Sequence, residues 1–201
     1  MNNIIKELLE KAKDCQNKNE NLKAEKFYKR IIDIDRNNFE AHNLLGILYC
    51  QYEKFNEGLK YFNKAINIQD HHAGLYCNKG NAHFALNEFE EAIKNYDIAI
   101  SLHPKLFDAY YNKGNVLQKL QNFEESIINY DKALEFNSNL FGAYINKGNS
   151  LKNLKKLDEA IANYNKAIEI NSNEVEPNWN KAITLLLKGD LEEGWKYYEW
   201  R

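Results

Sequence analysis

Three nearly identical stretches decide how this chain folds: YCNKGNAHFAL at 76–86, YYNKGNVLQKL at 110–120 and YINKGNSLKNL at 144–154. Each begins 34 residues after the one before it. Their glycines belong to a longer series that runs Gly46, Gly80, Gly114 and Gly148 and continues with Ala182. A fixed period of this length indicates an array of structural repeats, in which each unit contacts mainly its neighbours.

Other positions keep the same period. A second small residue follows each glycine after 12 positions and an aromatic residue after 16, as Gly58 and Phe62 follow Gly46. The register never slips along the chain. It predicts repeats at 5–38, 39–72, 73–106, 107–140 and 141–174 and a partial repeat at 175–201.

Each repeat reads as two short helices. In 107–140, Tyr110, Gly114 and Leu117 recur at spacings of four and three, which places them on one face of a helix. Asn122 suits a turn, and a second periodic stretch follows it. Small residues on both helices let the pair approach closely. We therefore predict an all-α, right-handed superhelical solenoid of tandem antiparallel helix pairs that forms one domain over 1–201.

Composition narrows the class of protein. The chain is 44% hydrophobic and 28% charged, which is typical of a globular protein, and its net charge of −2 gives no reason to expect nucleic-acid binding. No apolar run is long enough to span a membrane, and the charged N-terminal stretch is unlike a secretory signal. Three scattered cysteines do not form a disulfide framework. We expect a cytoplasmic protein.

The sequence offers no catalytic or metal site. His42 and His83 fall on core positions of the repeat, and no ligand set recurs at zinc spacing. The glycines follow the repeats and form no nucleotide-binding loop. Acidic pairs such as Glu124 and Glu125 begin second helices, where carboxylates favour the helix dipole. We expect no enzyme activity, no cofactor and no metal.

The series of aromatic, small, large, small, aromatic and alanine residues at this period resembles the tetratricopeptide repeat, and the resemblance covers essentially the whole chain. It implies a protein-interaction scaffold whose first helices line a concave groove, where ligands lie. The first repeat departs most, with Asn21 at a usually large apolar position and Ile31 in place of alanine. A degenerate terminal repeat is typical of a cap.

The resemblance places two columns of asparagine on the groove. An asparagine amide donates and accepts, so it matches a peptide backbone of any sequence. The first column resembles the asparagine ladder in the repeat domain of O-GlcNAc transferase, which grips extended polypeptide. The alternative is a consensus surface in an asparagine-rich chain. The predicted peptide-binding residues are Asn78, Asn81, Tyr111, Asn112, Asn115, Ile145, Asn146, Asn149 and Asn180.

Tyr111 and Ile145 are expected to add apolar pockets beside the asparagines. The carboxylate clamp of chaperone-binding members of the family is absent, because its lysine positions hold other residues, including Asn43, Cys77 and Glu40. The lysine before each small position, as in Lys147, is expected to lie over the neighbouring repeat with its charge in water. Replacing Asn78, Asn112 and Asn146 by alanine is expected to weaken binding with little change in melting.

The final segment, GDLEEGWKYYEWR, suggests two further hypotheses. Trp195, Tyr198 and Trp200 crowd the last helix, although the ends of repeat arrays usually turn a polar face to water. This helix is therefore a candidate surface for self-association into a homo-oligomer. The segment also resembles bacterial tetratricopeptide proteins in which the array precedes a glycosyltransferase-like domain, which implies a substrate-recognition arm of a larger protein.

Overall fold

The computed structural model describes residues 2–198, and this part of the chain forms twelve α-helices and no strand. The helices are α1 (Asn2–Asn17), α2 (Asn21–Ile34), α3 (Phe39–Gln51), α4 (Phe55–Ile68), α5 (Ala73–Ala85), α6 (Phe89–Leu102), α7 (Phe107–Lys119), α8 (Phe123–Phe136), α9 (Phe141–Asn153), α10 (Leu157–Ile170), α11 (Val175–Lys188) and α12 (Leu191–Tyr198). From the second repeat onward, every first helix begins at the first residue of its predicted repeat. The predicted fold class is confirmed: an all-α solenoid of helix pairs.

The chain divides into two compact units, Met1–Pro104 and Lys105–Arg201. Within each unit, helices that are adjacent in sequence pack against each other, and some first helices of successive repeats also touch: α3 with α5, α7 with α9, and α9 with α11. Each unit is thus a stack of helix pairs. One continuous domain over the whole chain stays a prediction.

The core of each unit consists of the periodic positions. In the first unit, buried residues of the first three helices form one cluster, which contains Ile5, Leu8, Ala12, Cys15, Ala24, Tyr28, Ile31, Ala41, Leu45 and Leu48. In the second unit, Ile127 of α8 packs against a buried cluster of the next repeat, formed by Leu151, Ala160 and Tyr164. Ile31, the departure noted in the first repeat, is fully buried. A helix pair therefore covers its apolar surface with the neighbouring pair.

The turn inside each repeat uses one left-handed residue. Its φ is positive at Asn19, Glu53, Asn87, Gln121, Lys155 and Gly189. The following backbone N–H reaches back to close the first helix, as Asn122 does to the carbonyl of Leu117 at 2.9 Å. Asn122 lies in this turn between α7 and α8, as expected, but it is not the left-handed residue. Asn122 caps α8 without a side-chain hydrogen bond, and Gln121 is the residue in the left-handed conformation.

Candidate functional site

Buried aromatic residues link the two helices of each repeat. A Cβ added at Gly80, Gly114 or Gly148 would lie 2.5–2.7 Å from the ring of Tyr96, Tyr130 or Tyr164. The glycine thus provides the space that the tyrosine ring fills. Gly46 stands in the same relation to Phe62, with 2.6 Å to the ring.

The hydroxyl groups of these tyrosines explain the second asparagine of NKGN. Tyr130 donates a hydrogen bond to Oδ1 of Asn115 at 3.0 Å, and Tyr164 donates to Oδ1 of Asn149 at 2.9 Å. Tyr96 donates likewise to Asn81 at 2.8 Å. A buried hydroxyl without a partner would cost stability, and each asparagine supplies that partner. Sequence reasoning missed these bonds.

In the second repeat, both members of the tyrosine–asparagine pair are different residues. Phe62 stands at the tyrosine position and Ile47 at the asparagine position, so neither the hydroxyl nor its acceptor is present. The first repeat keeps the tyrosine, and Tyr28 donates to Oε1 of Gln16 at 2.6 Å. The joint change at Ile47 and Phe62 is the signal in the sequence that could have revealed the pairing.

The first asparagine column forms bonds between repeats. Nδ2 of Asn146 donates to Oδ1 of Asn115 at 2.9 Å and to the hydroxyl of Tyr111 at 3.3 Å. Nδ2 of Asn78 donates to Oδ1 of Asn43 at 3.0 Å. These amides therefore connect first helices of successive repeats. In each unit, we call the surface that carries the asparagines of its first helices the first-helix face.

The remaining predicted residues differ in accessibility. Asn81 is exposed, whereas Asn112, Asn115, Asn149 and Asn180 are half-buried.

Tyr111 is half-buried, and its ring lies 6.1 Å from that of Tyr130. Ile145 is only 2% exposed, so it belongs to the packed interior and offers little surface for the apolar pocket expected there. The peptide-binding role of all these residues stays a prediction.

Hydrogen-bonding capacity remains on the first-helix face. Among residues 2–198, no donor bonds to Oδ1 of Asn78 or Asn146, and no acceptor bonds to Nδ2 of Asn115 or Asn149. On α9, Asn146 and Asn149 lie three residues apart, so they share one side of the helix. The pair presents one free acceptor and one free donor.

Two of the lysines that precede the small position of the repeat differ in their contacts. Lys147 forms an ion pair with Asp131 of the preceding repeat, with Nζ and Oδ1 2.5 Å apart. Lys181 departs from the expectation that its charge stays in water. Its side chain is 8% exposed, and its ammonium lies 3.7 Å from the centre of the Tyr197 ring. This cation–π contact holds α12 against α11.

The histidines and cysteines show no arrangement for metal binding. His42 is buried, with Nε2 3.0 Å from the carbonyl of Arg36, and Nδ1 of His83 lies 2.6 Å from Glu88. Within the described part of the chain, no group of three potential ligands could hold a metal ion. Burial raises the pKa of the Cys50 thiol to about 11, so this thiol is protonated at neutral pH. Glu124 and Glu125 lie in the first turn of α8, as expected.

The aromatic residues at the C-terminal end differ in their surroundings. The Tyr198 ring packs against Trp179 at 4.8 Å and against Trp195 at 5.3 Å. Trp195 is nevertheless 53% exposed, next to Leu191 at 59%. Trp200 lies outside the described residues. None of the helices that the structure describes has the length and apolar character needed to cross a membrane.

Comparison with known proteins shows the family. Residues 80–121 match a family model described as "TPR repeat", and residues 107–140 and 142–174 match one described as "Tetratricopeptide repeat". A search of curated proteins gave no match.

Several solved structures share the fold. A crystal structure of MamA is 25% identical over 86% of this chain and 94% of its own, with a TM-score of 0.72. YrrB, described as a TPR protein with an unusual peptide-binding site, is 21% identical over 86% of this chain and 89% of its own, with a TM-score of 0.71. The pilF protein of Pseudomonas aeruginosa is 15% identical over 98% and 89%, with a TM-score of 0.87. The helix pairs repeat every 34 residues, and residues 80–140 and 142–174 therefore belong to the tetratricopeptide repeat family.

Proposed function

We propose that this chain is a protein-interaction scaffold that binds an extended peptide segment of a partner along its first-helix face. The scaffold role is supported by the repeat family and by the build of stacked helix pairs. The YrrB comparison supports a peptide ligand, because a protein of this fold is described there as having a peptide-binding site.

The observation that carries the proposal is that several asparagine amides keep an oxygen or a nitrogen with no hydrogen-bond partner among residues 2–198. Oδ1 of Asn146 accepts from a ligand N–H, and Nδ2 of Asn149 donates to a ligand carbonyl. A backbone in extended conformation offers both groups, so two amides on one side of a helix suit it. Asn112, Asn115 and Asn180 belong to the proposed site of the second unit, and Asn78 and Asn81 belong to the corresponding face of the first unit.

The ligand is selected mainly by shape and backbone. The clamp lysines of chaperone-binding relatives are absent, and neutral amides make no strong demand on ligand charge. We therefore propose an internal extended segment as the ligand, in preference to an acidic C-terminus.

The experiment uses a library of random peptides displayed on phage, selected against the whole chain, followed by titration of the selected peptides. The test variant is Asn115→Asp with Asn149→Asp. Each aspartate keeps an oxygen that accepts from its tyrosine but replaces the donor for the ligand by a second acceptor. Losing two hydrogen bonds is expected to weaken binding by about tenfold or more.

The matched control is Asn139→Asp with Asn173→Asp, which makes the same change of charge in two exposed turns. Control and wild type should bind alike, and all three proteins should keep their helicity. A library that yields no binder, or equal affinity of test and control variants, would overturn the proposal.

A second candidate, self-association through α12, is favoured by one observation: Leu187, Leu191 and Trp195 are each more than half exposed. Such exposed apolar residues are typical of interaction surfaces. Light scattering should show a mass that rises with concentration, and Trp195→Ala should abolish the rise. A constant mass across the range would exclude this role. A substrate-recognition arm of a glycosyltransferase-like protein and a cytoplasmic location both stay predictions.

A further inference from the structure

A pocket of about 300 Å³ lies in the first unit where α3, α4 and α5 meet. Ile47 and Cys50 of α3, Phe55 and Phe62 of α4, and Asn78 and Asn81 of α5 contribute to its lining. Among the residues that the structure describes, no charged side chain lines it. Its volume is at the lower end of the ~300–1,000 Å³ typical of ligand pockets, which fits one side chain better than a whole cofactor.

The corresponding junction of the second unit is bridged by a side chain. Gln118 occupies the position that Cys50 has in the second repeat. Its Nε2 reaches from α7 to α9, where it donates to the carbonyl of Asn146 at 2.7 Å and to Oγ of Ser150 at 2.9 Å. Asn146 and Ser150 correspond to Asn78 and Ala82, which both line the pocket. The long glutamine thus spans the space that stays open beside Cys50.

Two residues, Cys50 and Gly58, keep the α3–α5 junction open. Cys50 is short, and its Sγ turns toward α4, where it lies 2.6 Å from the position of a Cβ at Gly58. The next two repeats have Ala92 and Ser126 at that position, whose Cβ atoms would meet a sulfur placed there. The Cys50 side chain therefore points toward α4 and leaves the space between α3 and α5 unfilled.

The open space is apolar at its base and polar at one side. Phe62 is 1% exposed, and with Ile47 it replaces the tyrosine–asparagine hydrogen bond of the later repeats by hydrocarbon surface. Asn78 and Asn81 stand on α5 and belong to the face on which the peptide backbone is proposed to lie. Oδ1 of Asn78 has no donor among residues 2–198, so it can accept from a ligand N–H beside the pocket.

We propose that this pocket takes one uncharged, aliphatic or methionine side chain of the extended segment, which anchors the segment while Asn78 holds its backbone. The inference rests on the proposed function and adds a residue preference to it. A charged side chain is disfavoured because the lining has no opposite charge to offset its desolvation. A buried apolar anchor of this kind commonly dominates the affinity of an interface.

The experiment uses the same phage library of random peptides. Peptides selected on the wild type should share an aliphatic residue or methionine at one position, and replacing it by alanine should weaken binding about tenfold or more. Cys50→Gln, which copies Gln118, should fill the pocket and weaken the same peptides to a similar extent. Ser101→Gln is the matched control, because it adds the same side chain at an exposed position of α6 away from the pocket, and it should bind like the wild type.

A second variant covers the case in which Cys50→Gln fails to fold. Ile47→Asn with Phe62→Tyr restores the hydrogen-bonded pair of the later repeats and makes the base of the pocket polar. It should also remove the preference for an aliphatic residue.

The pocket proposal would be refuted if the selected peptides bind all variants equally or share no apolar position. Peptide binding on the first-helix face would still stand in that case. A library without any binder would overturn the pocket and the proposed function together.

Discussion

Tyr130 fills the space beside Gly114: a Cβ on that glycine would lie 2.6 Å from Cε1 of the tyrosine ring. The same relation holds for Gly46 with Phe62 and for Gly148 with Tyr164. The glycine of each repeat thus admits an aromatic ring from the second helix, which is fully buried in the case of Tyr130.

Gly114→Ala is therefore expected to lower the free energy of unfolding by about 1–3 kcal/mol, because the methyl group overpacks this contact. Urea unfolding followed by circular dichroism measures the change. Combining it with Tyr130→Leu should cost less than the sum of the two single changes, because the smaller side chain relieves the clash. A stabilised Gly114→Ala variant, as helix propensity alone predicts, would contradict this account.

The second repeat allows a test of the tyrosine–asparagine pair. Phe62→Tyr adds a hydroxyl that meets Ile47, which cannot accept it, and the unpaired group should cost about 1–3 kcal/mol. Adding Ile47→Asn should recover much of the loss, by analogy with Tyr130 and Asn115. A double-mutant cycle in urea checks this expectation, and purely additive effects would show that no hydrogen bond forms.

Substitutions at the left-handed residues of two turns are expected to change the free energy of unfolding in opposite directions. Gln121 has a φ of 62°, and Gly189 has a φ of 96° with no atom of the described residues within 4 Å of an added Cβ. Gln121→Gly should raise the free energy of unfolding by about 0.5–1 kcal/mol, and Gly189→Ala should lower it by about 1 kcal/mol. Thermal melting of both variants tests the pair. A lower melting temperature for Gln121→Gly would mean that the loss of chain entropy outweighs the relief of strain.

The buried tyrosines make stability depend on alkaline pH. Burial raises the pKa of Tyr28 to about 12 and also raises the pKa of Tyr96, Tyr130 and Tyr164. The unfolded chain loses these protons near a pKa of about 10, so above that pH the folded state binds more protons. The free energy of unfolding should therefore be unaffected by these groups below pH ~10 and fall above it.

Tyrosinate absorbance should rise in two steps with pH, and the second step should coincide with the loss of helicity. Tyr130→Phe should reduce the dependence of the unfolding free energy on pH. Complete ionisation of all tyrosines while the helices remain intact would refute this expectation.

Asn78 and Asn146 are also expected to stabilise the fold, which the sequence did not indicate. Asn78 and Asn146 each donate to a preceding repeat, so alanine at either should lower the free energy of unfolding by about 0.5–1.5 kcal/mol. Asn180→Ala is the matched control, because the Asn180 side chain makes no hydrogen bond within residues 2–198. Equal melting temperatures of Asn78→Ala, Asn146→Ala and Asn180→Ala would support the original expectation of unchanged melting.

The repeat period was enough to predict where the first helix of each repeat begins, from the second repeat onward. Residues 39, 73, 107, 141 and 175 begin helices because the spacing of small and large residues already fixes which faces must meet. The bond between Tyr130 and Asn115 was not predicted, since its partners lie on different helices and neither residue type demands the other. Gln121 was missed because the left-handed position there carries no glycine.

The pocket beside Cys50 could not be predicted from the repeat pattern. A periodic pattern shows what recurs, whereas this site arises where Cys50, Ile47 and Phe62 all depart from the later repeats. Which way Sγ turns is decided by the missing Cβ of Gly58, and only coordinates show that.

Gln118 and Cys50 occupy equivalent positions, and one bridges its junction while the other leaves it open. Duplicated units can therefore diverge in what they recognise through a few substitutions at one junction, with the scaffold unchanged. An array built in this way can acquire a new specificity one junction at a time, and Gln118→Cys together with Ser126→Gly should open the α7–α9 junction as Cys50 and Gly58 open the α3–α5 junction.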